Sequence, residues 1–496
     1  MPRVGSVQPD AGGPARPLPG DDTGAMPSLL RRLRATWHGF ADRSRPVHPE
    51  TARALRERWA ALPAHVQTPA QTLGRHAVGC EGTHGVFPKC NLTCTPCYHS
   101  ADANKVRVDG GHTLREIESQ MSFLRERRGP YAHAQLIGGE VSLLSPDDHA
   151  AALQAMRDHG RSPMSMTHGD FDPEYLRDLV TGPDGTLRFD RISFAAHVDS
   201  LMRGRRGAVR PRSEAELHPF RQQFVQMFRD LRAATGLRYY LAHNMTVTPA
   251  NLGQVAETVR AVLPMGFSMM SFQPAAHVGD DRRWKESYTA VDADAVWAEL
   301  EKGLGQRIAH EGIEFGDPRC NRLAFGFLAG GRWTPFVDPD SAADRAARER
   351  FFAHWGGLAF SGTPPLLLLV KIARVLRHHP DDAAVAARWF ARLLRRAGGL
   401  RHLVRAARAG TLGLMTFEVH SFMDAADVGP AWELMQQGVE SDDPRIRATQ
   451  ERLAACTYSM AHPETGQLVP ACAQHSVLDV TENAQLRRLL PLTVVG

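Results

Sequence analysis

No apolar run in this chain is long enough to cross a bilayer, and residues 1–25 are rich in Pro and Gly with no apolar stretch of the kind a secretion signal carries. A helical membrane span and an exported precursor are both unexpected, and the chain reads as soluble and cytoplasmic. An even set of pairable cysteines is missing too. The seven cysteines lie at 80, 90, 94, 97, 320, 456 and 472, an odd number with three crowded on one loop. That argues against a secreted disulfide scaffold and for a reducing compartment. Charge is close to balanced, 59 basic against 54 acidic residues for a net +5, and no basic groove is interleaved with aromatics, so no nucleic-acid partner is expected. There is no internal repeat and no heptad register.

What is present is a chain of 496 residues, 43% hydrophobic, able to bury one large core and a smaller one. Residues 1–26 read as a disordered leader and 27–79 as an N-terminal helical segment, with amphipathic helices over 28–40 and 49–62. Arg31, Arg32 and Arg34 on the first of these form a solvated face. Between 80 and 285 strands alternate with helices. Strands are expected over 86–91, 134–137, 163–168, 191–198, 239–247 and 267–273, and helices over 113–127 (opened by Thr113 as its cap), 146–159, 173–180, 214–235 and 251–263. Six such repeats imply an α/β fold with a parallel sheet and right-handed crossovers. The period is helical over 286–415, including a helix over 292–310, a short strand or loop over 313–319 that delivers Cys320, and a basic stretch over 364–415. Residues 416–496 form a C-terminal domain.

The densest chemistry lies at Gly85-Val-Phe-Pro-Lys-Cys-Asn-Leu-Thr-Cys-Thr-Pro-Cys-Tyr-His-Ser100, where Cys90, Cys94 and Cys97 stand as C-x3-C-x2-C at the end of an apolar run. Three thiolates on one tight loop suit three corners of an iron–sulfur cube and leave the fourth iron open to a substrate or cofactor. The alternative is a zinc knuckle, although such sites commonly pair C-x2-C with a second pair downstream. Some forty residues on, Gln135-Leu-Ile-Gly-Gly-Glu140 ends another apolar run. Gly138 and Gly139 permit close backbone approach to a ligand, and the Glu140 carboxylate suits a ligand ammonium.

Taken together, in strand–helix–strand order and with the aromatic Tyr98 after the third cysteine, the two motifs resemble the radical S-adenosylmethionine (SAM) superfamily over about residues 80–280. The resemblance implies an open, six-unit (β/α) partial TIM barrel with ligands at the carboxyl ends of the strands. It implies a [4Fe-4S] cluster on Cys90, Cys94 and Cys97, and SAM held by the open iron and by Gly138, Gly139 and Glu140. One electron then cleaves SAM to a 5′-deoxyadenosyl radical that abstracts hydrogen. A reductant such as flavodoxin or ferredoxin is implied as partner. Ser193 falls at the family's ribose-contact position. Ala195 stands where an acidic residue is often found, so His197 or Asp199 would supply that contact, unless His197 is simply a satisfied sheet-edge histidine. His243, Asn244 and Thr246 on one strand and Gln273 on the next fall where the family touches SAM. Met164, Met166, Met269 and Met270 alternate along strands and are expected to be core.

Three further stretches bear on the substrate. The loop Arg203-Gly-Arg-Arg-Gly-Ala-Val-Arg-Pro-Arg212 is either a solvated loop or a grip for an acidic group. The apolar and arginine positions of 364–415, three and four apart, fit packing helices with a solvated face, or peripheral contact with a lipid surface. In the tail, Cys456 and Cys472 flank the turn Pro463-Glu-Thr-Gly466, so a hairpin brings both thiols together, and Cys320 would add a third ligand. This tail resembles the radical SAM branch of tetraether-lipid synthases and methanopterin C-methylating enzymes, which closes an auxiliary Fe-S cluster with a Phe-Met-Asp-Ala motif, present as Phe422–Ala425, and a terminal cysteine stretch. The match is partial: Ala455-Cys456 stands for a double cysteine, and Cys80-Glu-Gly-Thr-His-Gly85 is all that remains of an N-terminal knuckle. The branch implies carbon–carbon bond formation or methylation at an unactivated carbon of a lipid or other small molecule. A peptide-modifying maturase and a non-catalytic metal-binding module with membrane-surface helices are the alternatives.

Overall fold

The sheet at the centre of the fold is a run of strands in which buried apolar residues are interspersed with polar ones: β3 (Ala132–Leu136), β4 (Arg161–Thr167), β5 (Arg191–His197), β7 (Arg238–Val247) and β8 (Met269–Pro274). The computed structural model describes residues 40–87, 89–98, 109–279, 289–360, 363–479, 481–482 and 485. The leader and all but the last residue of the expected helix over 28–40 lie outside them. From Pro46 onward the described residues belong to one compact unit.

The five strands run parallel in the order β8-β7-β5-β4-β3. The next strand, β1, is Cys80–Gly82, parallel to β3. The expected first strand at 86–91 is therefore corrected: in the structure Val86, Phe87 and Lys89–Asn91 are a loop that leaves the sheet. Strand β1 is polar, and a buried ion pair rather than apolar packing fixes it. Arg161 of β4 forms two hydrogen bonds to Glu81, 3.0 and 3.2 Å, with neither side chain exposed.

The sheet also extends beyond the expected six strands. β11 (Leu412–His420) pairs parallel to β8, and β12 (Tyr458–His462) pairs parallel to β1. Antiparallel β9 (Asn321–Ala329) and β10 (Arg332–Pro335) complete one edge, and β13 (Gln467–Pro470) the other. The result is a mixed α/β fold around a curled, open sheet of 11 strands in a partial barrel. The sheet crosses the boundaries expected at 285 and 416. Residues 364–415 are likewise not helical throughout, because Leu412–Met415 already belong to β11.

Helices α1 (Pro49–Ala60), α2 (Gly110–Arg128), α3 (Pro146–Asp158), α4 (Pro173–Val180), α5 (His218–Thr235), α6 (Val255–Val262) and α7 (Ala293–Leu304) follow the apolar periodicity. Asp109, not Thr113, caps α2, accepting from the His112 amide at 2.7 Å. Thr113 instead donates to the Val86 carbonyl, 2.8 Å, and so ties the helix to the cysteine loop. Helix α7 stops at Leu304 because Gly305 adopts φ 71° at its C-terminus, short of the expected His310. Phe194, Phe228, Leu241, Met245, Phe272 and Phe417 are fully buried in the core between sheet and helices, each burial stabilising by roughly 1.5–3 kcal/mol.

Of helices α8 (Ala342–Trp355), α9 (Pro365–His378), α10 (Asp381–Arg396) and α11 (Leu400–Arg408), α11 packs on β9 and β11, and α10 packs on α8 and α9. Their packing is incomplete: Leu366 and Leu400 are 80% and 67% exposed. Among the described residues no helix is long and apolar enough to cross a membrane.

Candidate cofactor-binding site

The cysteine loop is held over the carboxyl ends of the parallel strands by backbone bonds from two sides. On one side the Gly139 and Glu140 amides donate to the carbonyls of Phe87 and Lys89, at 2.7 and 2.9 Å. On the other, the two-residue strand β2 (Thr93–Cys94) pairs antiparallel with β6 (Met202–Arg203) after β5. Gly138 is glycine for a steric reason. A Cβ there would meet the Phe87 ring at 2.6 Å and its carbonyl oxygen at 2.8 Å, contacts that side chains do not tolerate. The Gly-Gly-Glu stretch is thus the seat of the cysteine loop.

Beneath the loop lies a cavity of about 230 Å³. Cys90, Cys94, Cys97 and Tyr98 line it from the loop, Gly138, Gly139 and Glu140 from the end of β3, and His197, Asn244 and Gln273 from β5, β7 and β8. Ser193 lies outside this lining; on β5 the cavity meets Ala195 and His197. His243 points the other way, fully buried, and accepts from Arg221 Nε at 3.0 Å. Met164, Met166 and Met269 line the cavity, a correction to their expected core role that only Met270 keeps. They alternate with outward-facing neighbours, so inward period-2 positions present thioethers to the cavity.

The three loop thiols crowd one another. The thiol of Cys94 is pushed well above its ordinary value by its hydrogen bond with Cys97, by burial and by the nearby charges of Cys97, Asp199 and Cys90. Such a set resists losing protons to water but deprotonates readily onto a metal, which supplies the missing positive charge. The donor set, three sulfurs on one loop facing a cavity, fits an iron–sulfur cluster.

Glu140 is 1% exposed and already well supplied with donors. Its carboxylate accepts from the Ser142 amide (3.0 Å), the Thr167 hydroxyl (2.6 Å) and the His168 amide (2.8 Å). His168 in turn reaches Asn91 of the cysteine loop, 2.7 Å. In Glu140→Gln an amide NH₂ would face one of these donors. We expect the melting midpoint to fall by the equivalent of about 1–3 kcal/mol, read by thermal denaturation. An unchanged midpoint would mean the carboxylate is free for a ligand.

Strand β11 brings two titratable groups that sequence reasoning passed over, Glu418 and His420, both lining the cavity. Burial pushes the Glu418 carboxyl up to about 7, against the hydrogen bond it shares with Ser271. Burial lowers His420 to about 4. Because the folded-state value of Glu418 is raised, its contribution to stability is full below the ordinary carboxyl range and is lost as pH climbs from about 4.5 through about 7. Over that window Glu418→Gln should flatten the fall of stability with pH by up to roughly 3 kcal/mol, measured by urea denaturation. Identical pH profiles for variant and parent would count against a buried Glu418.

Asp199 resists ionisation through burial, but His197 (3.1 Å) and the Thr246 and Leu201 amides hold its carboxyl below the ordinary range. The arginine loop is latched internally. Arg205 donates to the His168 carbonyl, 2.6 Å, and Arg206 pairs with Asp170 and Asp172.

A second group of cysteines converges from distant parts of the chain. Turn 463–466 joins β12 to β13 as the expected hairpin, placing Cys456 and Cys472 on its two flanks. Cys320 precedes β9 and accepts from Arg452 Nε at 3.0 Å. The Cys472 thiol is pushed up by burial and by Cys456 and Cys320; burial, opposed by Arg452, holds Cys320 up at about 11. Burial first, then Glu418, Glu81 and Cys456, pushes up the thiol of Cys80, which lines the main cavity. The Phe-Met-Asp-Ala segment joins the two regions. Phe422 packs on Tyr98 at 4.2 Å between centroids, and Asp424 accepts from the His277 amide after β8, 2.8 Å.

No family model matches the chain, and no curated protein matches it. Solved structures do align with it. SuiB of Streptococcus suis, also solved with S-adenosylmethionine and with the precursor peptide SuiA, aligns over 43% of both chains at 14% identity and TM-score 0.29. The enzyme anSMEcpe with bound AdoMet aligns over 45% of this chain and 58% of its own at 13% identity and TM-score 0.30. TsrM of Kitasatospora setae, a radical S-adenosylmethionine methyltransferase solved with tryptophan and a SAM analogue, aligns over 65% of this chain and 58% of its own at 12% identity and TM-score 0.26. The aligned part covers less than two thirds of each of these proteins.

Proposed function

We propose that this chain is a radical SAM enzyme acting on an unactivated carbon of an apolar substrate. The carrying observation is the presentation of Cys90, Cys94 and Cys97 by one loop, seated on Gly138–Glu140, against a cavity at the carboxyl ends of parallel strands. Those three thiolates would hold a [4Fe-4S] cluster, which when bound supplies the electron that cleaves SAM to a 5′-deoxyadenosyl radical. The protein's own part is placement and shielding. His197, Asn244 and Gln273 offer hydrogen-bonding groups at adjacent strand ends for the nucleoside and amino-acid parts of SAM. Glu140 acts on this site mainly by fixing the cysteine loop. Ala195, Ala242, Met164, Met166 and Met269 make a wall with little hydrogen-bonding capacity, which excludes water from a reactive carbon radical and suits a hydrocarbon surface. Cys320, Cys456 and Cys472, which do not line the cavity, would hold an auxiliary Fe-S cluster.

Anaerobic reconstitution with iron, sulfide, reductant and SAM tests the reading. We expect 5′-deoxyadenosine, and deuterium carried into it or its product pool from perdeuterated isoprenoid or fatty-acyl lipids but not from deuterated peptides. Deuterium from peptides alone would make the chain a peptide maturase. No SAM cleavage under any of these conditions would leave a metal-binding module.

A further inference from the structure

Away from the cavity, the loop after β1, the end of β12 and the C-terminal segment meet around three side chains: His84, His462 and Glu482. The two imidazole rings stack at 4.1 Å between centroids with 20° between their planes. His84 Nε2 faces the Ala461 carbonyl at 2.7 Å and must therefore carry a proton. His84 Nδ1 then faces a second acceptor, Glu482 Oε2, at 3.1 Å.

His462 repeats the pattern. Its Nε2 meets the Gln474 side-chain oxygen at 2.5 Å. That amide cannot be turned round, because its nitrogen already donates to Asp479 and Glu482, both at 2.9 Å. His462 Nδ1 again faces carboxylates, Glu464 Oε1 at 3.0 Å and Glu482 Oε1 at 3.5 Å. Acceptors on both nitrogens of both rings call for positive charge between the Nδ1 atoms and the carboxylates. Protons on the rings can supply it, and so can one divalent cation that replaces the Nδ1 protons, at a site where His462 is 3% exposed.

We propose that His84 Nδ1, His462 Nδ1 and Glu482 bind a zinc ion, with Glu464 or water as the fourth ligand. The ligand atoms all lie within 4.8 Å of one another, and the two His–Glu482 separations are 3.1 and 3.5 Å. A tetrahedron with bonds of about 2.0–2.1 Å has edges of about 3.3 Å. The Nε2–H bonds to Ala461 and Gln474 set the tautomer that leaves both Nδ1 atoms to the ion, and the stacked rings must tilt apart for their in-plane lone pairs to converge on it. The ion would clasp the C-terminal segment onto the sheet. Gln474 and Asp479 join it to His475, whose Nδ1 donates to Asp479 (2.7 Å) and whose ring lies 5.8 Å from Tyr98 beside the cysteine loop.

The test is independent of SAM chemistry. The full chain, reconstituted with iron and sulfide so that its cysteines are engaged, is incubated with zinc sulfate, dialysed and assayed by mass spectrometry and zinc X-ray absorption. We expect about one zinc per chain in a nitrogen/oxygen shell at about 2.0–2.1 Å. His462→Gln and Glu482→Gln should each lower zinc affinity at least tenfold while leaving iron content unchanged. Absence of retained zinc in the parent, a shell made only of sulfur at about 2.3 Å, or full zinc affinity in both variants would overturn the site. Should a variant fail to fold, the parent's stoichiometry and absorption spectrum still decide.

Discussion

With Cys90, Cys94 and Cys97 all changed to alanine, the chain is expected to form no 5′-deoxyadenosine from SAM, yet still to take up about four irons on reconstitution. The first half follows from the loop: its three sulfurs are the thiols that line the cavity with Gly138–Glu140 and the strand ends, and no other described cysteine on that wall except Cys80 could stand in. The second half follows from Cys320, Cys456 and Cys472, three further thiols outside the cavity lining, the first two of which help to push up the third. Two measurements on one preparation separate the claims. Retained SAM cleavage would end the radical SAM reading. Iron near zero would make the distant cysteines buried structural thiols instead.

A substitution that touches no ligand should be almost as damaging. In Gly138→Ala the new Cβ would sit 2.6 Å from the Phe87 ring and 2.8 Å from its carbonyl. The obstacle is partly backbone, and that backbone is already bonded to the Gly139 amide at 2.7 Å, so the cysteine loop itself must lift. Overpacking of this kind costs about 1–3 kcal/mol, and a displacement near 1 Å at a reacting centre costs roughly a hundredfold in rate. SAM-cleavage rate should therefore fall about a hundredfold, with a modest loss of thermal stability. Gly253→Ala, where an added Cβ meets nothing within 4 Å, serves as the control. Equal rates for Gly138→Ala and the parent would show that the loop is not seated there.

The sequence carried the strands whose apolar positions cluster between turn residues and the two motifs that rest on local spacing. Five of the six expected strands stand within three residues of their places, since β4, β5, β7, β8 and β3 are bounded by turn residues and buried on both faces. It did not carry β1, three residues long and held by the Arg161–Glu81 pair, because no apolar period announces an ion pair. Nor did it carry β11 and β12 as members of the same sheet, since partner choice between remote strands leaves no local mark. Glu418 and His420 followed from that omission: they become cavity residues only once β11 is placed beside β8. The expected ligand role of Gly-Gly-Glu was incomplete for a similar reason. The sequence shows that two glycines allow close approach, and only the fold shows that what approaches is Phe87.

The position of β1 has a bearing on how the molecule is made. It lies between β3 and β12, and its neighbourhood is joined to the end of the chain by contacts such as His84 to Ala461, 377 residues apart, and Arg58 to Cys456, 398 apart. A ribosome adding about 5–20 residues per second leaves that edge waiting tens of seconds for its partner. Closing loops of such length is slow as well as late. Until β12 arrives, a nascent chain exposes an unpaired strand edge, which makes early chaperone capture the natural order of assembly.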